Sequence, residues 1–117
     1  MIRIKTGGIY LIKHTSGYFY IGLTTDFSTR WGGHLTQLII GTHHSDKFQS
    51  LFRKTKIEEW SFHILKHLSK TEVRQSTKLK GKELEKIYNT MLKDLEKEYM
   101  GMYDKEMSLN TQNKWFK

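Results

Sequence analysis

Gly8-Ile9-Tyr10-Leu11-Ile12 and, after the polar stretch Lys13-His14-Thr15-Ser16-Gly17, Tyr18-Phe19-Tyr20-Ile21-Gly22 are the residues on which the fold turns. Ile9 to Ile12 and Tyr18 to Ile21 are short β-favouring runs, and a polar connection ending in glycine suits a hairpin loop. An antiparallel hairpin is predicted. Beyond Gly22, Thr24-Thr25-Asp26 offers N-cap side chains before Phe27, Trp31, Leu35, Leu38 and Ile39, which recur at helical spacing. A first helix is expected over about 26–40, with Gly41 as its stop and Thr42 to Ser45 as a polar connection. Phe48, Leu51 and Phe52 predict a short second helix, and the alternation Trp60, Phe62, Ile64 predicts a third strand. Ser69 to Lys82 is polar and charged and reads as a loop or frayed helix start. From Leu84 to Tyr103, the stripe Leu84, Tyr88, Met91, Leu92, Leu95, Tyr99 and Met102 predicts a long amphipathic helix.

The chain has 117 residues, enough for a single domain, 1–117, with room for only a modest core. No apolar run approaches the roughly 20 residues needed to span a bilayer, and the N-terminus lacks a signal-peptide core, so a soluble, cytoplasmic protein without a membrane partner is expected. The absence of cysteine removes disulfides and thiolate metal sites. The formal net charge is +8 and unevenly spread: residues 1–57 carry eight basic side chains against Asp26 and Asp46, the remainder twelve against ten. A basic half that also holds the tyrosine-rich hairpin suits a polyanion surface as well as a simply solvated one.

There is no phosphate loop ending in Gly-Lys-Ser and no His-Glu-x-x-His, so nucleotide hydrolysis and zinc-protease chemistry have no signature. A two-metal nuclease gathers several carboxylates, yet the tyrosine-rich half offers two. Its tyrosines, arginine and histidines could instead orient a phosphate, stabilise its charge and move protons beside one metal-bound carboxylate. Taken singly, the tyrosines also read as core residues, and Arg30 with His34 as an exposed helical pair.

Gly8-Ile9-Tyr10, then Tyr20-Ile21-Gly22 on the following strand, then Arg30-Trp31 and His34 in the first helix and Gly41-Thr42-His43 after it, resemble the GIY-YIG nuclease family, in particular the nuclease domain of phage intron-encoded homing endonucleases. The likeness covers about 7–110. It implies an α/β (α+β) fold, a small three-stranded antiparallel sheet flanked by helices, and a DNA endonuclease that hydrolyses phosphodiester bonds with one Mg²⁺ or Mn²⁺ ion. By the same resemblance Tyr10 is the general base and Tyr20 its orienting partner. Arg30 holds the scissile phosphate, and His34 or His43 hands a proton to the leaving oxygen. Glu96, or Glu98 in its place, holds the metal. These two glutamates lie about 200° apart around a helix, so only one can face the site. Lys13, Arg53, Lys54 and Asn110 are the expected substrate-binding residues, and His44 is read as a bystander.

Leu68 to Leu84 looks longer than the matching link in compact members, and its Lys70, Arg74, Lys78, Lys80 and Lys82 either contact DNA backbone or are solvated. Homing endonucleases carry a second DNA-binding domain that the chain is expected to lack, so a double-strand cut calls for a homodimer, sequential nicking or an accessory DNA-binding subunit. The alternative functions are a catalytically silent nucleic-acid-binding module, a subunit of a larger nuclease, or an unrelated RNA-binding fold that stacks bases on its aromatics.

Overall fold

The structure, a computed structural model, describes residues 5–117. Strands β1 (Gly8–His14) and β2 (Phe19–Thr24) form the predicted hairpin, and β3 (Trp60–His67) joins the other side of β1 in an antiparallel sheet of order β2-β1-β3. Between β2 and β3 lie helices α1 (Phe27–Ile40) and α2 (Asp46–Arg53), and after β3 come α3 (Lys70–Thr77) and α4 (Gly81–Met100). Asp26 caps α1 through its carboxylate and Ser45 caps α2 through its hydroxyl, which fixes where both helices start.

The period of two along the strands separates two apolar layers. Tyr10, Ile12 and Tyr20 pack on one face with Phe27 and Leu38 of α1, Phe48 of α2, Trp60 and Leu109. Ile9, Leu11, Phe19 and Ile21 pack on the other face with Met100 of α4 and Phe116. A third cluster joins Val73 of α3 to Leu84, Tyr88 and Leu92 of α4.

The polar stretch from Ser69 to Lys82 departs from its sequence reading. It holds all of α3 and the first turn of α4. The Ser69 hydroxyl accepts the Glu72 N–H, and one apolar residue, Val73, 1% exposed, suffices to pin the turn against α4. Tertiary packing of a single side chain outweighs a composition that favours loops. The long helix also runs from Gly81 to Met100 rather than to Tyr103, and Met91 and Met102 of the expected stripe are exposed. Among the described residues no helix is long and apolar enough to cross a membrane.

Candidate active site

Two glycines shape the sheet around Tyr10. Gly8 has φ +148°, and a Cβ there would lie 1.8 Å from the Lys66 carbonyl oxygen, beside the point where the β1–β3 register slips between Ile9 and Tyr10. Gly22 is paired with Tyr10 across the hairpin, and a Cβ on it would stand 2.3 Å from Tyr10 Oη. The bare Gly22 backbone therefore lets the Tyr10 ring lean across β2 toward the outer edge of the sheet. Phe62 of β3 stacks on the ring's other side at 5.2 Å.

Arg30 and His34 lie one turn apart on α1 and both reach Tyr10 Oη. Arg30 Nε donates at 3.0 Å and His34 Nε2 stands at 2.7 Å. The chain continues inward from His34 Nδ1 to His43 Nε2 at 2.8 Å, and the Ser45 N–H donates to His43 Nδ1 at 3.0 Å. A backbone N–H can only donate, so it sets every tautomer along the row. His43 Nδ1 accepts, its Nε2–H donates to His34 Nδ1, and His34 Nε2–H donates to Tyr10 Oη. Tyr10 oxygen thus receives two donors, one of them cationic, which is the arrangement that stabilises a phenolate. Gln49 braces the row by accepting the His43 N–H and donating to the Leu38 carbonyl.

Electrostatics agree with neutral histidines. Burial, then the charges of Arg30 and the neighbouring histidines, pushes His34 down to about 3, and burial and His44 push His43 down to about 4. Near neutral pH neither His34 nor His43 carries a spare proton. Burial raises the pKa of Tyr10, and Tyr20 raises it further while Arg30 opposes. Tyr20 is raised in the same way, burial first. The Arg30 charge also acts on Tyr20 and opposes its upward shift, so one guanidinium influences both tyrosines.

The free edge of β2 carries the carboxylate. Among the described strands β2 pairs with β1 alone, and its outer edge is met by side chains and by the C-terminal segment, where Phe19 bridges Ser108. The Leu109 N–H donates to the Phe19 carbonyl, Asn110 Oδ1 accepts the Ile21 N–H, and Asn110 Nδ2 donates back to the Ile21 carbonyl. The next outward N–H, that of Leu23, acts electrostatically on the Glu96 carboxylate and favours its charged form. Glu96 is half-buried, and its charge reaches both Tyr10 and Tyr20. Burial raises its pKa, against the Leu23 N–H, Lys93 and Lys97. Glu98 is exposed.

The structure thus brings together Tyr10, Tyr20, Arg30, His34, His43 and Glu96. Of the four expected substrate-binding residues, Asn110 packs at the edge of the site, and the other three lie apart from Tyr10. Lys13 lies on the opposite face of the sheet, in a cleft with Leu11, Phe19 and Tyr103. Asn110 spends both ends of its amide on Ile21, which positions the Tyr20-Ile21-Gly22 strand. Arg53 and Lys54 are exposed at the end of α2, Arg53 against Gly41 and Lys54 beside Tyr18 and Lys47. His44 is no bystander, since its Nε2 stands 3.1 Å from Tyr20 Oη. Ser45, whose N–H sets the histidine row, was unremarked, although a serine just before a helical run is a readable cap.

A metal ion here would find one carboxylate donor, for among the described residues no group of three or more His, Cys, Asp or Glu could hold an ion. One carboxylate, with water and phosphate oxygens completing the shell, fits a Mg²⁺-type ion, which keeps several waters and binds through few protein ligands.

The family model for the GIY-YIG catalytic domain matches residues 6–110. No curated protein matches the chain. Among solved structures, a variant of the catalytic domain of intron endonuclease I-TevI is similar at 25% identity, covering 96% of this chain and 99% of that one with a TM-score of 0.58. A second structure of the catalytic domain of homing endonuclease I-TevI is similar at 26% identity, covering 80% and 91%, with a TM-score of 0.51. Since the family model runs through every residue of the cluster around Tyr10, from the β1 tyrosine to the α4 glutamate, the chain belongs to the GIY-YIG nuclease family.

Proposed function

We propose that this endonuclease hydrolyses DNA phosphodiester bonds with Tyr10 as general base and a single divalent ion at Glu96. The observation that carries the reading is the convergence of Arg30 and His34 N–H donors on Tyr10 Oη. Because burial raises its pKa, Tyr10 can take a proton from water only once added positive charge beside Arg30 favours the phenolate that these two donors stabilise. Tyr10 is 0% exposed, so substrate binding must open a path to its oxygen. Arg30 links the two events: its Nε–H stays on Tyr10 while its other N–H groups remain for phosphate oxygens. Tyr20, stacked beside Tyr10 and sensing the same guanidinium charge, is its orienting partner. His34 and His43 hold the phenol in register by a row whose polarity starts at the Ser45 N–H.

Glu96 is the residue that would hold the ion, half-buried near the edge of β2, where the Leu23 N–H favours its charged form. Mg²⁺ or Mn²⁺ bound there supplies Lewis-acid polarisation of the phosphoryl oxygen and neutralises developing charge. The excess of basic over acidic side chains in residues 1–57 supports a DNA substrate, and the phage or mobile-element setting and cytoplasmic location expected from the sequence belong to the same reading.

Incubating supercoiled plasmid with the protein and Mg²⁺, then mapping the cut ends, tests this. Nicked or linear product, slowed about 10²–10⁴-fold in Tyr10→Phe with DNA binding retained, is expected. Tight binding without cutting in either metal would favour the catalytically silent module instead.

A further inference from the structure

Of the three clustered histidines, His34 and His43 are buried and His44 is exposed. His44 stands where the tyrosine pair meets solvent. Its Nε2 lies 3.1 Å from Tyr20 Oη, its ring stacks on His43 at 4.5 Å, and it lines a cleft of about 230 Å³ with Ser45, Asp46, Lys47, Asn110 and Asn113. The buried row is closed to proton traffic. His34 already directs its Nε2–H at Tyr10, and a second proton on its Nδ1 would face the His43 Nε2–H. No such lock acts on His44, whose Nε2 is engaged by a hydroxyl that can donate or accept.

We propose that His44 is the proton-supplying residue of the site, acting through Tyr20 Oη on the leaving oxygen. The inference rests on the function proposed above. As the bond from phosphorus to the leaving oxygen breaks, its electron pair stays on that oxygen, which takes the Tyr20 hydroxyl proton. Tyr20 recovers a proton from Nε2 of the His44 imidazolium, and neutral His44 reloads from solvent. The proton that Tyr10 removed from water returns to solvent, so the hydrolysis balances. The groups facing His44 are Tyr20 from β2, His43 in the same turn, Asp46 and Lys47 from α2, and the uncharged Asn110, Thr111 and Asn113 from the C-terminal segment. Arg30 acts on the neighbouring His34 and His43 from α1.

The test compares native protein with His44→Gln on two DNA substrates, one natural and one with sulfur in place of the bridging leaving oxygen. Sulfur leaves without protonation, so it needs no acid. The expected result is a loss of about 10²-fold in His44→Gln on the oxygen substrate, unchanged DNA affinity, and equal rates of native and variant on the sulfur substrate. Native rates in His44→Gln on the oxygen substrate, or equal slowing on both substrates, would overturn the relay. An active Glu96→Gln would refute the proposed function itself, whereas an inactive Glu96→Gln with an unimpaired His44→Gln would refute the relay alone.

Discussion

Tyr10 is held by its neighbours more tightly than by its own strand. Gly22 beneath it, Phe62 above it, and Arg30 and His34 at its oxygen leave one position for the ring. That makes Gly22 as demanding a position as the tyrosine. Gly22→Ala would drive a methyl to 2.3 Å from Oη, a contact the ring can relieve only by leaving its two donors. Urea denaturation should show a cost of about 1–3 kcal/mol, the range for overpacking, and cleavage should fall well beyond what the remaining folded fraction explains. A variant that is less stable yet fully active would mean that the ring does not need its place over Gly22.

At the scale of elements, α4 sets core residues and the proposed metal-holding acid in one row. Leu84, Tyr88, Leu92 and Met100 are buried at intervals of four and eight, and Glu96 fills the missing place in that row. An acid in line with core residues is the signal that separates Glu96 from Glu98, and it is legible in the sequence once the row is known. The expected stripe also contained Met91 and Met102, which blurred the row. Leu92→Ala should cost about 2–5 kcal/mol in thermal or urea unfolding, whereas Met91→Ala should change stability by less than about 0.5 kcal/mol. Comparable losses in both would show that the buried face of α4 is misassigned.

The hairpin, α1 and β3 were readable because each has a strong period and a turn or cap residue at its end. Helix α3 was not, since Val73 is its one buried residue and only the presence of α4 makes that burial possible. The same limit hid the partners that His44 and Asn110 meet. Tyr20 and His44 are 24 residues apart, and Ile21 and Asn110 are 89 apart, so no local pattern could join them. The tyrosines and Arg30 were legible because the motif places them on consecutive elements.

The whole molecule folds around a row of neutral histidines, and its stability should record that. His34 and His43 sit at about 3 and about 4 in the folded protein and near about 6.5 in the unfolded chain. Between those values the unfolded chain binds more protons, so stability is complete above about pH 6.5 and is lost as pH falls toward 4. Urea midpoints measured from about pH 7.5 down to 4.5 should decline, and the decline should be shallower in His34→Gln, which has one fewer group to protonate on unfolding. An identical slope in the variant would mean that His34 is already charged in the native state.

The central claim is that Glu96, at the edge of β2 beside Tyr10 and Tyr20, anchors the chemistry. Single-turnover cleavage of DNA by Glu96→Gln in Mg²⁺, with the native protein as reference and binding measured in parallel, tests it most directly. Glutamine can no longer offer an anionic donor at nearly the same volume. The account predicts a loss of at least about 10²-fold in cleavage rate with DNA affinity preserved, the scale set by removing one catalytic charge-stabilising group. Cleavage by Glu96→Gln at the native rate would contradict it.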